Sequence, residues 1–211
     1  MFVKKGKITQ GKADEIFGLI RGTTDLKKAV EGADLVIEAI PEKLDLKREV
    51  FKELDEISAL HTILASNSSS LCIAEIASLT NWQDKAIGTH FFNPVAVLKL
   101  LEVVIGSNTS RETIGAIEQF ARRINKEVVL LKDSPGLITT RLFCTLVNDA
   151  TKLIQEGVAT AEDIDKAMVL GFNWPMGPLR AGDWNTEVTY HVLNYLREQL
   201  GEEYRPTKYL R

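Results

Sequence analysis

Short apolar runs recur through the first 132 residues of the chain: DLVIEAI (34–40), TILAS (62–66), AIGTHFF (86–92), LKLLEVVI (98–105) and EVVLLK (127–132). Their length and composition predict strands. The first is almost continuously apolar, the pattern of a parallel strand covered on both faces. Between the runs the apolar spacing stretches to the helical period. DLKREVFKELDEISA (45–59) sets Leu46, Val50, Leu54 and Ile57 on one face. SLCIAEIASL (70–79) and SRETIGAIEQFARRI (110–124) read as helices too. Strands alternating with helices predict βαβ units in a doubly wound α/β layer.

The texture changes at KDSPG (132–136), where Pro135-Gly136 punctuates the chain. Beyond it helical patterns dominate, over about 137–156, 160–170 and 186–200. Thr160 is placed as an N-cap, with Asp163 at N3 as a short-acid version of the capping box. A domain boundary follows near 133–136, giving an α/β domain over 1–133 and a helical domain over 134–211.

Composition narrows the function classes. A net charge of −3, with no stripe of Lys or Arg, argues against a nucleic-acid or anionic-membrane surface. No apolar stretch is long enough to span a bilayer. The opening MFVKKGKITQ has no apolar run behind its lysines, unlike a secretory signal. Cys72 and Cys144 are the only cysteines and lack metal-ligand spacing. They are expected as small core residues of a cytoplasmic protein without a metal site.

Candidate chemistry centres on GTHFFNPVAVLKLLEV (88–103). Histidine titrates near neutrality without adjustment, so it suits a proton-transfer base, and its ring is commonly held in one tautomer by a carboxylate. The twelve-residue gap from His90 to Glu102 suits neighbouring strands joined by a turn at NPVAV, which would bring both side chains to one mouth of the sheet. On spacing alone, a buried and merely satisfied histidine is the commoner outcome. In ASNSSSL (65–71), Asn67 and Ser69 either cap a helix or face a ligand at the carboxyl end of a parallel strand. Glu42 and Lys47 follow another strand end, where charges are usually solvated and a glutamate suits the helix dipole. No GxGxxG occurs, and no P-loop, HExxH or GxSxG.

Taken together, ADLVIEAIPE, ASNSSSL, GTHFFNPV…KLLEVV, KDSPGLITTRL, DIDKAMVLG and PMGPL resemble the 3-hydroxyacyl-CoA dehydrogenase family, which includes bacterial 3-hydroxybutyryl-CoA dehydrogenases. The resemblance runs from about residue 5 to the end. It implies an oxidoreductase of fatty-acid metabolism that interconverts 3-hydroxyacyl-CoA and 3-ketoacyl-CoA with NAD. Its fold would be a Rossmann-type sheet followed by an all-α dimerisation domain, and its partners an acyl-CoA substrate and a second copy of the chain. By the same resemblance His90 is the base, Glu102 its orienter, and Ser69 a hydrogen-bond partner of the substrate oxygen. Glu42, Lys47, Asn67, Ser69 and Asn93 line the cofactor cleft. The family usually carries an active-site asparagine where Thr140 stands; threonine keeps a hydroxyl but not the amide's reach or its two donors. The family's sheet normally opens with a strand, a glycine-rich turn, a helix and a second strand. The resemblance begins after these, so the sheet is expected to be incomplete and DLVIEAI to have an unpaired edge. Two alternatives are a non-catalytic dimerisation or interaction module and a related dehydrogenase of small hydroxy acids.

Overall fold

Each of the apolar runs forms a strand. A computed structural model describes residues 2–183 and 186–210. The elements are, in order, α1 (Gln10–Gly18), α2 (Leu26–Val30), β1 (Leu35–Glu38), α3 (Leu44–Ile57), β2 (Ile63–Ser66), α4 (Ile73–Ile76), β3 (Ala86–Phe91), β4 (Leu100–Ile105), α5 (Arg111–Arg123) and β5 (Glu127–Lys132). The helical part follows as α6 (Thr139–Gln155), α7 (Ala161–Phe172), α8 (Pro178–Asp183) and α9 (Thr186–Leu200). Thr160 caps α7 as expected, its hydroxyl accepting the Asp163 amide.

The strands lie side by side in chain order. Neighbours are parallel where a helix connects them, as β1–β2, β2–β3 and β4–β5 are, and antiparallel at β3–β4, where only a short loop intervenes. Successive residues point to opposite faces. Leu64, Ala86 and Val104 pack with Phe51 and Leu54 of α3 and Ile73 and Ile76 of α4. Ala65, Ile87, Leu101 and Val103 pack with Ile117 and Ala121 of α5 on the other side. A third cluster, Cys144, Val147, Val192, Leu193, Leu196 and Leu210, forms the helical core.

Two expectations from the pattern change. Leu46 is 42% exposed, and Lys47 takes the inward position beside Phe51 and Leu54. The buried stripe of α3 is therefore turned by about one residue, roughly 100°, because a buried carboxylate receives the lysine. β1 is only partly covered on one face: Val36 packs on the α3–α4 side and Leu35 on the α5 side, but Ile37 beyond it is open. The strand stands at the edge of the sheet with β2 as its partner, and Ile37 is 37% exposed. An open groove of about 600 Å³, lined in part by Leu35, Ile37, Ile63 and Phe120, separates that face from α5.

Candidate active site

The carboxyl ends of β1, β2 and β3 point to one side of the sheet, the usual place for a ligand in open α/β folds. His90 lies near the end of β3, and Glu102 is its register partner on β4. Their side chains meet, with Nδ1 2.8 Å from Oε2. The strands can approach this closely because residue 88 is glycine: a Cβ there would lie 2.7 Å from Cβ of Val104. Gly88→Ala is therefore expected to cost about 1–3 kcal/mol in urea unfolding through overpacking.

Glu102 is 1% exposed and has further partners. Its Oε1 accepts the backbone amide of Thr139 at 3.0 Å, and its Oε2 accepts the Thr139 hydroxyl at 3.1 Å. Thr139 opens α6, which has no side-chain cap of its own. One buried carboxylate thus anchors the histidine and satisfies the amino end of a long helix, where negative charge is favoured. Burial alone would raise the Glu102 carboxyl. The hydrogen bonds from His90 and Thr139 outweigh it and hold the pKa below the ordinary glutamate value. The carboxylate can only accept, so Nδ1 carries the hydrogen, and in the neutral imidazole Nε2 is the nitrogen with the free lone pair. The Phe92 ring, 4.5 Å from the imidazole centroid, packs against it.

A second cluster surrounds Glu42. Its Oε1 accepts the Ser68 hydroxyl at 2.6 Å, the Ser69 and Ser70 amides at 3.0 Å and the Ser70 hydroxyl at 3.0 Å. Burial raises this carboxyl too, but the Ser68 hydroxyl, the Lys47 charge and the Ser70 contacts bring it below its usual value. The two clusters are joined by Asn67, whose Oδ1 accepts the amide of Phe91, next to His90.

Both carboxyls are depressed in the fold. Their stabilisation is complete above the unfolded glutamate value, about pH 4.3, and is lost as the pH falls through their folded values. Urea midpoints should therefore fall in acid, and the acid limb should be shallower in Glu102→Gln.

The other expected site residues are placed as follows. Ser69 is half-buried, and its hydroxyl makes no hydrogen bond among the described residues. Asn93 is exposed. Lys47 is buried, with Nζ 2.8 Å from Glu38, 3.2 Å from the Ile40 carbonyl and 3.3 Å from Glu42. Among the described residues its link to the Ser68–Ser70 loop runs through Glu42. Thr140 is half-buried, and its hydroxyl makes no hydrogen bond among the described residues. Its neighbour Thr139 is the threonine that touches the dyad. Sequence reasoning missed Thr139 and Glu38. The available signals were a helix start without a capping side chain and a carboxylate inside an apolar strand.

Residues 1–134 match the model for "3-hydroxyacyl-CoA dehydrogenase, NAD binding domain", and residues 136–211 match that for "3-hydroxyacyl-CoA dehydrogenase, C-terminal domain". The chain belongs to the 3-hydroxyacyl-CoA dehydrogenase family. It is 42% identical over 208 residues to the 3-hydroxybutyryl-CoA dehydrogenase of Clostridioides difficile, covering 98% of this chain and 72% of that protein. To a probable 3-hydroxybutyryl-CoA dehydrogenase of Bacillus subtilis it is 43% identical, covering 99% and 73%. The crystal structure of (S)-3-hydroxybutyryl-CoA dehydrogenase from Ralstonia eutropha superposes with a TM-score of 0.94 at 36% identity, covering all of this chain and 75% of that one.

Polar side chains at the carboxyl ends of β2 and β3 suit a polar cofactor such as the family's NAD. Ser69, whose hydroxyl has no hydrogen-bond partner among the described residues, and the exposed Asn93 follow the carboxyl ends of β2 and β3. The sequence has no GxGxxG turn, so no residue of this chain is assigned to the pyrophosphate. Among the described residues no cluster of side chains suits a metal ion, and no helix is long and apolar enough to cross a membrane.

Proposed function

We propose that this 3-hydroxyacyl-CoA dehydrogenase interconverts (S)-3-hydroxyacyl-CoA and 3-ketoacyl-CoA with NAD, His90 serving as the base. The buried His90–Glu102 pair carries this reading. NAD⁺, when bound, accepts the hydride from C3 of the substrate. The oxygen on that carbon must release its proton as the carbonyl forms, and the free Nε2 of His90 takes it. Glu102 stabilises the imidazolium that results. In the opposite direction the same nitrogen returns the proton to the ketone oxygen. The Ser69 hydroxyl hydrogen-bonds that oxygen, Glu42, Asn67 and Asn93 line the NAD cleft, and Thr140 takes the place of an active-site asparagine.

The names of its relatives support a short acyl chain such as acetoacetyl-CoA. The test follows NADH oxidation with acetoacetyl-CoA and, separately, with a small keto acid such as pyruvate. Turnover of the thioester alone supports the reading. Turnover of the keto acid alone would make the protein a dehydrogenase of small hydroxy acids, and turnover of neither would leave an interaction module.

The helical domain is read as the homodimer surface. Leu142, Leu170 and Phe172 are 68%, 74% and 69% exposed on α6 and α7, which favours a covering partner of the same kind. Light scattering should give twice 23.5 kDa, and a 23.5 kDa species would contradict the assignment. The two free cysteines favour the cytoplasm.

A further inference from the structure

At the carboxyl end of β1 lies a buried ion pair that the proton transfer does not use. The side chains of Glu38 and Lys47 are each 1% exposed. Removing two charges from water is costly, and well-packed apolar residues often fill such a space at least as favourably. The pair is spent on geometry. Glu38 Oε1 accepts Lys47 Nζ at 2.8 Å and the Ile40 amide at 2.6 Å, and Oε2 accepts the Ser66 hydroxyl at 2.7 Å. Ser66 Oγ in turn accepts the Ser68 amide at 3.2 Å. Lys47 lies closer to Glu38 than to Glu42, 2.8 Å against 3.3 Å. That leaves Glu42 placed to gather the Ser68–Ser70 loop. Glu38 therefore reaches the loop by two routes, one through Ser66 and one through Lys47 and Glu42.

We propose that Glu38 is a positioning residue for Ser69, dividing Lys47 between two carboxylates so that the loop carrying the Ser69 hydroxyl is held at one place beyond the carboxyl end of β2. The functional meaning rests on the reading of Ser69 given above. With a neutral amide at position 38, the buried ammonium keeps Glu42 as its charged partner. The stronger attraction in a low-dielectric setting draws the Glu42 carboxylate inward, toward the roughly 2.8 Å of a charge-assisted bond. Its bonds to the Ser69 and Ser70 amides lengthen as it moves.

The test is amide hydrogen exchange, residue by residue, in the full chain and in Glu38→Gln. The Ser69 and Ser70 amides should exchange roughly tenfold faster, the loss of about one net hydrogen bond, while the amides of β3 and β4 keep their protection. Adding Lys47→Met to Glu38→Gln removes the ammonium that draws Glu42 inward, so the Ser69 and Ser70 amides of the double variant should regain most of their protection, and no recovery would overturn the route through Lys47. Unmoved Ser69 and Ser70 amides would overturn the proposal, and so would a uniform rise across the sheet, which marks a residue that only stabilises the fold. If Glu38→Gln does not fold, Ser66→Ala cuts the other route without leaving a buried charge, and the same two amides decide. Exchange needs no turnover, so failure here is distinct from failure of the dehydrogenase reading, which shows as absent NADH oxidation in the unaltered chain.

Discussion

Replacing His90 with glutamine lowers kcat for NADH-dependent reduction of acetoacetyl-CoA by about 10²–10⁴-fold, the usual worth of a positioned acid–base group. Glutamine fills much of the same space and can still donate a hydrogen bond to Glu102, so the buried carboxylate keeps a partner and the chain should stay folded. What the amide cannot do is exchange a proton with the substrate oxygen near neutral pH. Steady-state kinetics beside circular dichroism checks both halves. A folded variant whose kcat stays within tenfold of the original would remove His90 from the chemistry.

Glu102→Gln should cost about as much, for a different reason. The carboxylate accepts from His90 Nδ1, the Thr139 amide and the Thr139 hydroxyl. An amide in its place has one accepting oxygen and one donating nitrogen. If the oxygen turns to the Thr139 amide, the nitrogen faces Nδ1. The imidazole must then accept at Nδ1 and carry its hydrogen on Nε2, the tautomer that cannot take a proton from the substrate. The expected fall in kcat is again on the order of 10²–10⁴-fold. Because the two residues act as one unit, the double variant should lose little beyond either single variant. Additive losses would mean that Glu102 contributes something other than orientation.

Much of this architecture was legible in the sequence, because the strands are short apolar runs separated by helical spacing. The gap between two runs allowed His90 and Glu102 to lie on neighbouring strands, but spacing alone favoured a merely satisfied histidine, and the pairing rested on the resemblance to the dehydrogenase family. The site's supporting residues were harder to read. Lys47 looks like a solvated charge in DLKREV, since lysines are rarely buried without a partner, and its partner Glu38 lies nine residues away inside an apolar strand. Thr139 could not be told from Thr140 without the direction of α6. The exposure of Ile37 depends on which elements flank β1, and the run DLVIEAI carries no record of its neighbours. In each case the missing information was a tertiary contact rather than a local preference.

The most direct test of the central claim, that Glu102 holds His90 with Nε2 free to take the proton, is the nitrogen NMR spectrum of isotope-labelled histidine in the resting chain, with His90→Gln used to assign the signal. The prediction is a His90 ring protonated at Nδ1 with a bare Nε2 at a pH where the imidazole is neutral, and loss of that pattern in Glu102→Gln. A ring that carries its hydrogen on Nε2 in the unaltered protein would contradict the account, because the atom assigned to the proton transfer would already be occupied.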